Sequence, residues 1–516
     1  MPSVATRAST ASGVEGESRP RASALIWVLA VLQLPFMWVA SAPIVPPDLW
    51  WTVKLGELLV ASGQLDHSAA LTYTAYTTPQ INAQWLAQVF YFQAYRLGDL
   101  EGVAFMTAIV ATATFGLLYL ACRVVGASPP LAALSTLIGM SASMTNLSPR
   151  PQIFAYPLFT LTLLLLLVSA RRPLALIGLP LAVALWANVH GSFPLGVVLV
   201  GIFLAGAVLE RLVQRVRPLA ILRDRRVLAL GATLVLCAAA MGLNPYGYGI
   251  LGYVVGLASN PIIRQYVTEW APTTFGEMTG TIYFATLFVF VIAAHLSSRR
   301  LTATEALLAM AVALLGLQSI RSVIWWGIGA APIVARLLSD VPIPPELHAR
   351  VQQANRPVGG GSRTLLNALV AALWLLALLA SIPWLKPINP LLPPAKRTMF
   401  GPELPLRATA FLRDTPQGAR MFNYQGWGGY LEWALGPQQR TFVDGRIEVH
   451  SPQVYLDYLT VESGGARWEE ILAGYGADHL ILSQIYQGYL IALVRESPRW
   501  RVTYEDDQAV VFVRLS

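Results

Sequence analysis

The chain is short of charge, of cysteine and of acid. Of its 516 residues only 12% are charged while 55% are hydrophobic, and a water-soluble globule carries about twice that share of charge. The two cysteines, Cys122 and Cys237, each sit inside an apolar run, which excludes a disulfide framework. Bases outnumber acids 36 to 28, for a net charge of +8. In a soluble protein that excess would point to nucleic acid. Here the bases gather between apolar runs, as they do in the cytoplasmic loops of membrane proteins, so no nucleic-acid partner is implied. No small-residue cleavage site follows the first apolar run, residues 23 to 43, so that run reads as an anchor and not as a removed signal peptide. No repeat of solenoid period is present.

What the chain has instead is apolar windows, and in lipid these must be helices, because backbone polar groups find no other partners there. On a window of roughly 19 residues they fall at 23–43, 101–122, 129–146, 152–169, 173–188, 193–210, 227–243, 280–297, 302–318, 322–339 and 364–384, eleven in all. With the N-terminus inside, the inner segments collect 18 basic residues, six of them arginines between Arg211 and Arg226, against five outside: Lys54, Arg96, Arg150, Arg264 and Arg321. This asymmetry sets the orientation. Residues 1 to 22 read as a disordered cytoplasmic N-terminus and 340 to 363 as a cytoplasmic linker. Residues 23 to 339 form the transmembrane module, 364 to 384 the last span, and 385 to 516 lie outside. That tail mixes alternating strings such as "RTFVDGRIEV" and "QAVVFVRLS" with helical "WEEILAGYG", so a small extracytoplasmic α/β domain is expected.

The polar motifs sort to one side. "PPDLWW", "NLSPRPQ", "WANVHGSF", "NPYGYG", "VTEWAP" and "QSIRS" all fall on the outer face. The first outer loop, 44 to 100, is too long for a simple connection and holds two amphipathic pieces, "DLWWTVKLGELLVASG" and "AQWLAQVFYFQAYRLG". These are expected to lie along the membrane interface with their aromatic rings at the headgroups.

Together these motifs resemble those of the GT-C superfamily of membrane glycosyltransferases. The closer likeness is to a bacterial multi-span group that begins "DLWWHL" and continues with "RPQ", "WANLHG", "NPYG", "GGYL" and "DGR"; this chain has "DLWWTV", then "RPQ" at 150–152, "WANVHG", "NPYG", "GGYL" at 428–431 and "DGR" at 444–446. The resemblance implies a GT-C-like polytopic helical protein of a bacterial cytoplasmic (inner) membrane. Such a protein moves a sugar from a polyprenyl-phosphate carrier to an extracytoplasmic glycan, lipid or protein acceptor. By motif position Asp48 is the candidate catalytic base, although an Asp there also caps the helix that follows. Lys54, Arg150, Arg321 and Arg264 are the bases available for the carrier phosphate, His190 is a hydrogen-bond donor, and Asp66 and Glu269 are candidate second acids. Where relatives read "HEW" this chain has Ala83, Gln84 and Trp85, so the loop loses an oxygen ligand suited to hard cations. A divalent metal stays open, and no other cofactor is implied. Two alternatives stand beside transfer. One is a non-catalytic envelope protein binding glycan or lipid carrier, and the other is a transporter, which would place ionisable residues deep in its spans. The glycines and aromatics around "GWGGYLEW" have two readings, a surface for sugar or peptide and a domain core with Asp444 and Arg446 as a structural turn pair.

Overall fold

The computed structural model of the protein describes residues 21–45, 48–65, 68–75, 81–342, 360–390 and 392–515. Residues 1–20 of the expected disordered N-terminus, most of the 340–363 linker and Asp66 lie outside these residues, while Arg21 and Ala22 begin the first helix.

The apolar runs become helices whose starts are written in the sequence. The first, α1 (Arg21–Ser41), leads to α2 (Asp48–Ser62), the short α3 (Ser68–Leu71) and the long α4 (Trp85–Val124). Then come α5 (Pro129–Ser143), α6 (Ala155–Val168), α7 (Gly178–Val189), α8 (Pro194–Val213), α9 (Pro218–Ile221) and α10 (Arg225–Ala240). The series continues with α11 (Gly249–Ser259), α12 (Pro261–Tyr266), α13 (Met278–Leu296), α14 (Ala303–Gln318), α15 (Val323–Ser339) and α16 (Gly360–Ala380). Proline opens α5, α8, α9 and α12, where its missing N–H costs nothing. Asp224 and Asn260 cap α10 and α12, and Thr302 with Glu305 closes a capping box on α14. A helix covers most of each of the eleven expected stretches. Among the described residues five helices are long and apolar enough to cross a membrane by length and composition: Trp85–Val124, Pro151–Val168, Pro194–Val213, Met278–Leu296 and Ile320–Ser339. Inside α4 the backbone leaves helical geometry at Gly98 and Asp99, where Asp99 takes φ 51°. That break separates the amphipathic piece from the apolar run beyond it, as the sequence pattern suggests.

At the centre is α15, buried almost all round. It crosses α5 at Gly139 and Gly327, where a Cβ on either would strike the other's carbonyl oxygen. Small residues allow such an approach in membrane bundles. Beside this crossing Trp325 packs against Tyr156, Phe159 and Trp186.

The tail forms a five-stranded sheet among helices: α17 (Leu406–Asp414), β1 (Arg420–Asn423), α18 (Gly428–Leu435), β2 (Arg440–Thr441), α19 (Pro452–Glu462), α20 (Trp468–Gly474), β3 (His479–Ser483), α21 (Gly488–Glu496), β4 (Trp500–Glu505) and β5 (Ala509–Arg514). Strand order is β2-β1-β3-β5-β4. The first three strands run parallel, and β5 lies antiparallel to both β3 and β4. All five residues of β3 are buried, as a strand covered on both faces requires. "QAVVFVRLS" yields β5, but of "RTFVDGRIEV" only Arg440 and Thr441 are strand. Beyond them the alternation belongs to a buried loop in which Asp444 and Arg446 bond each other.

One apolar core runs from the bundle into this tail, from Val31 to Ile481 and Val511. Its hinge point is α2. Trp50 is fully buried, stacked on Phe400 at 5.8 Å and packed against Tyr430 and Trp433. This corrects the interfacial expectation for the two tryptophans: α2 lies between α4 and α18, and its rings are covered by protein. Trp427 and Tyr430 are likewise core residues.

Gly139→Leu is expected to destabilise the protein by at least about 1–3 kcal/mol through overpacking. Gly201→Leu, where a Cβ meets open space, should stay within about 0.5 kcal/mol of the wild type. Thermal unfolding of both variants in one detergent tests the pair, and equal melting temperatures would remove the proposed crossing.

Candidate functional site

Four loops converge at one end of the bundle. Asp48 is the first residue of α2, where a carboxylate favours the helix dipole. Facing it is Arg150, held in extended backbone between Pro149 and Pro151, its carbonyl accepting a hydrogen bond of 3.2 Å from the Tyr91 hydroxyl. The Arg150 Nε stands 3.7 Å from Asp48 Oδ2, and its Nη1 is paired with Glu269. Glu269 comes from the short turn Thr268–Trp270 after α12. The next residue, Trp270, carries the Arg321 guanidinium 4.8 Å above its ring, and Arg321 donates to Gln152 Oε1 at 3.1 Å. At 3.7 Å the Arg150–Asp48 contact is too long for a hydrogen bond. Among the described residues the buried Nε–H of Arg150 therefore has no acceptor, and neither has the buried Trp51 Nε1–H on the next turn of wall.

The tail closes the site from the other side. Gly445 lies against Asp48 so closely that a Cβ there would come 2.9 Å from Oδ1. The flanking residues hold it there: Arg446 donates to Asp444 Oδ2 at 2.6 Å through Nε and to Glu432 at 3.4 Å, and Thr441 donates to Glu432 at 2.8 Å. All three charged side chains are buried. Burial and the neighbouring Asp444 push the Glu432 carboxyl up, whereas Arg446 holds Asp444 below the ordinary carboxylate range against its own burial. This ionic knot is structural, and its Arg446 guanidinium also sits over the Trp51 ring.

Two cavities flank Asp48. The inner one, about 280 Å³, is lined by Gln84, Gln152, His190, Tyr253 and Glu448. The outer, about 470 Å³, is lined by Arg150, Glu269, Tyr266, Tyr424, Gln425 and Glu462. Asp48, Arg321 and Gly445 belong to both walls. Sites of this size take small-molecule ligands. The Asp48 side chain is 31% exposed, and what it is exposed to is these cavities. Burial pushes its carboxyl above the ordinary range, with Arg150 pulling it back and Glu269 pushing it further. For Glu269 burial also acts upward, but the charge and hydrogen bond of Arg150 outweigh it and hold the group low.

Of the residues singled out from sequence, Asp48, Arg150, Glu269 and Arg321 meet here and His190 lines the inner cavity. Lys54 does not join them; it pairs with Glu57 at 3.0 Å on its own helix. Arg264 is exposed on α12, and Asp66 lies outside the described residues. Among the described residues no three His, Cys, Asp or Glu side chains form a group able to hold a metal. Instead the Arg150 guanidinium fills the space between Asp48 and Glu269. Sequence reasoning passed over Gln152 and Trp270, each beside a flagged residue, and Tyr253 and Glu448, which bond each other at 3.2 Å across 195 residues.

His190 has a defined protonation state. The Ser192 backbone N–H donates to its Nδ1 at 3.1 Å, so in the neutral ring the proton is on Nε2. Burial, with Arg321 nearby, pulls its pKa down to about 3. The ring is thus an uncharged donor, and its NMR signal should show no titration step near the ordinary value of about 6.5. A step there would contradict this assignment.

No protein-family model matches the chain, and no curated protein sequence matches it. Among solved structures it is similar to ArnT from Cupriavidus metallidurans bound to undecaprenyl phosphate, at a TM-score of 0.52 and 12% identity, covering 96% of this chain and 99% of that one. It is also similar to the apo state of the same protein, at a TM-score of 0.54 and 15% identity with the same coverage. At such identity the likeness is one of fold. It extends over 96% of this chain, the bundle and most of the tail together.

Proposed function

We propose that the protein is a membrane glycosyltransferase that moves a sugar from a polyprenyl-phosphate carrier to an acceptor hydroxyl. The observation that carries this reading is one carboxylate, Asp48, shared by two cavities and faced by two arginines, one with an unpaired buried N–H. A fold neighbour solved with undecaprenyl phosphate supports a carrier of that class. In this reading eleven spans place the N-terminus inside a bacterial inner membrane and the α/β tail outside it, as the distribution of bases requires.

The step runs as follows. The acceptor oxygen attacks the anomeric carbon, and its proton passes to Asp48, whose raised pKa makes it a better base than an ordinary carboxylate. The bond from the anomeric carbon to the phosphate oxygen breaks, and the electron pair leaves with the polyprenyl phosphate. Arg321, which lines both cavities, meets the charge that develops on the departing oxygens, and guanidinium donors suit phosphate geometry. His190 adds a neutral N–H on the inner wall. Lys54, paired with Glu57, has no part here.

A binding protein without catalysis is the second reading, favoured by Gln84, an amide on the inner wall where an acid is expected. If that amide is the lesion, Gln84→Glu raises transfer from nothing.

Asp48→Asn is expected to stay folded, to keep undecaprenyl phosphate binding and to lose transfer by about 10²–10⁴-fold. Wild-type transfer by the folded variant would sink the proposal. Arg321→Gln should weaken binding of undecaprenyl phosphate by roughly 10- to 100-fold, the worth of a hydrogen bond to a charged group. Because Asp48 must be ionised to accept a proton and its pKa is raised, transfer should fall with acid through a limb above the ordinary carboxylate value of about 3.9. A pH–rate profile checks this.

A further inference from the structure

The outer cavity has a lining of its own that the transfer step leaves unused. From α12 and the tail it receives Tyr266, Tyr424, Gln425, Tyr455 and Glu462. Tyr266 and Tyr455 have ring centres 5.9 Å apart, and Tyr424 lies flat against Tyr486 at 4.9 Å and 10°. Tyr486 is 60% exposed, Tyr489 beyond it 67% and Tyr266 40%, so the aromatic wall continues from the cavity out to the surface. The polar groups between the rings are fixed in place. Tyr455 donates to Gln425 Oε1 at 3.1 Å, Gln425 Nε2 donates to the Asp444 carbonyl at 3.1 Å, and Tyr458 accepts from the Gln425 backbone at 2.9 Å while donating to Glu462 at 2.7 Å.

We propose that this cavity is the acceptor site and that the acceptor it takes is a carbohydrate chain, laid along the tyrosine wall with one hydroxyl at Asp48. The inference rests on the glycosyltransferase reading and names the substrate that reading leaves open. Tyrosine rings offer flat apolar faces with a hydrogen-bonding edge, which matches a pyranose, whose C–H face is apolar and whose rim is hydroxyl. Fixed amide and carboxylate groups between the rings suit those hydroxyls and set register. A lipid tail would instead want an apolar lining, and here Arg150, Glu269, Gln425 and Glu462 break it. An extended peptide would add to a free sheet edge, but β2, the edge on this side, is already bridged by Thr72. The donor then occupies the inner cavity, and Asp48 lies on the wall common to both.

The test uses the full chain in nanodiscs with cellotetraose and chitotetraose as probes, read by saturation-transfer NMR, beside a Gly/Ser/Ala hexapeptide. Either oligosaccharide is expected to bind, and Tyr266→Ala combined with Tyr486→Ala, both at exposed positions, should lower its affinity by roughly tenfold, the order of two aromatic contacts. Tyr486→Phe should keep it. Undecaprenyl phosphate binding should not change in the double variant, while Arg321→Gln should weaken it by roughly 10- to 100-fold and keep the oligosaccharide. Loss of carrier binding alone from wild type would thus overturn the transfer reading, and loss of oligosaccharide binding alone would overturn this one. Absence of binding by both oligosaccharides, binding of the peptide in their place, or unchanged oligosaccharide affinity in the double variant each overturns the proposal. So does a Tyr486→Ala variant that loses affinity for the lipid bilayer and not for sugar.

Discussion

Arg150 holds the site together because its charge must be answered. A largely buried guanidinium without partners is untenable, and the two carboxylates that answer it come from separate parts of the chain: Asp48 from the start of α2 and Glu269 from the turn after α12. Prolines on both sides keep the arginine from joining a helix, and its backbone is extended. Removing one partner from such a pair strands the other, at a cost of about 3–5 kcal/mol when burial is complete. The same pairing leaves the buried Nε–H without a hydrogen-bond acceptor among the described residues.

The second constraint is the seating of the tail on α2. Trp50 is sandwiched by Phe400, Tyr430 and Trp433, and further along the same tail a glycine is required at 445, since a Cβ there would come 2.9 Å from Asp48 Oδ1. The ionic knot of Asp444, Arg446 and Glu432 stiffens the loop that presents this glycine. Neither cavity exists without the tail: Glu448 and Arg446 close the inner one, and Tyr424 and Gln425 build the outer. The bundle supplies Asp48, Arg150, Glu269 and Arg321, and the tail closes the walls around them.

Much of this was legible. Apolar windows located the helices because lipid forces every backbone group into a local bond, and prolines and caps marked their starts. Asp48, Arg150, Arg321 and Glu269 were legible because they are rare charges on a face otherwise poor in charge. What escaped the sequence depends on packing at long range. The tryptophans of α2 read as interfacial because amphipathicity shows that a face is buried without showing against what, and here it is protein. Period-two alternation in "RTFVDGRIEV" reported burial on one side, which a strand and a wedged loop share. Two helices, α11 and α12, form in a stretch expected to be loop, and they bring Tyr253 and Tyr266 to the cavities. Lys54 has the right charge on the right loop, but its neighbour Glu57 takes it.

The sheet of the tail does not end with its own strands. Thr72 bridges Thr441 beyond β2, the Tyr73 N–H donates to the Thr441 carbonyl at 3.2 Å, and the Thr74 hydroxyl bonds the Phe442 carbonyl 368 residues away. A strand edge so covered cannot recruit another chain. The cover, however, is synthesised long before the edge. At roughly 5–20 residues per second the early loop leaves the ribosome some 20 to 70 seconds ahead of its partner. A nascent chain stalled short of β2 would therefore hold every helix of the bundle but neither the Gly445 loop nor Glu448, which help to wall the cavities.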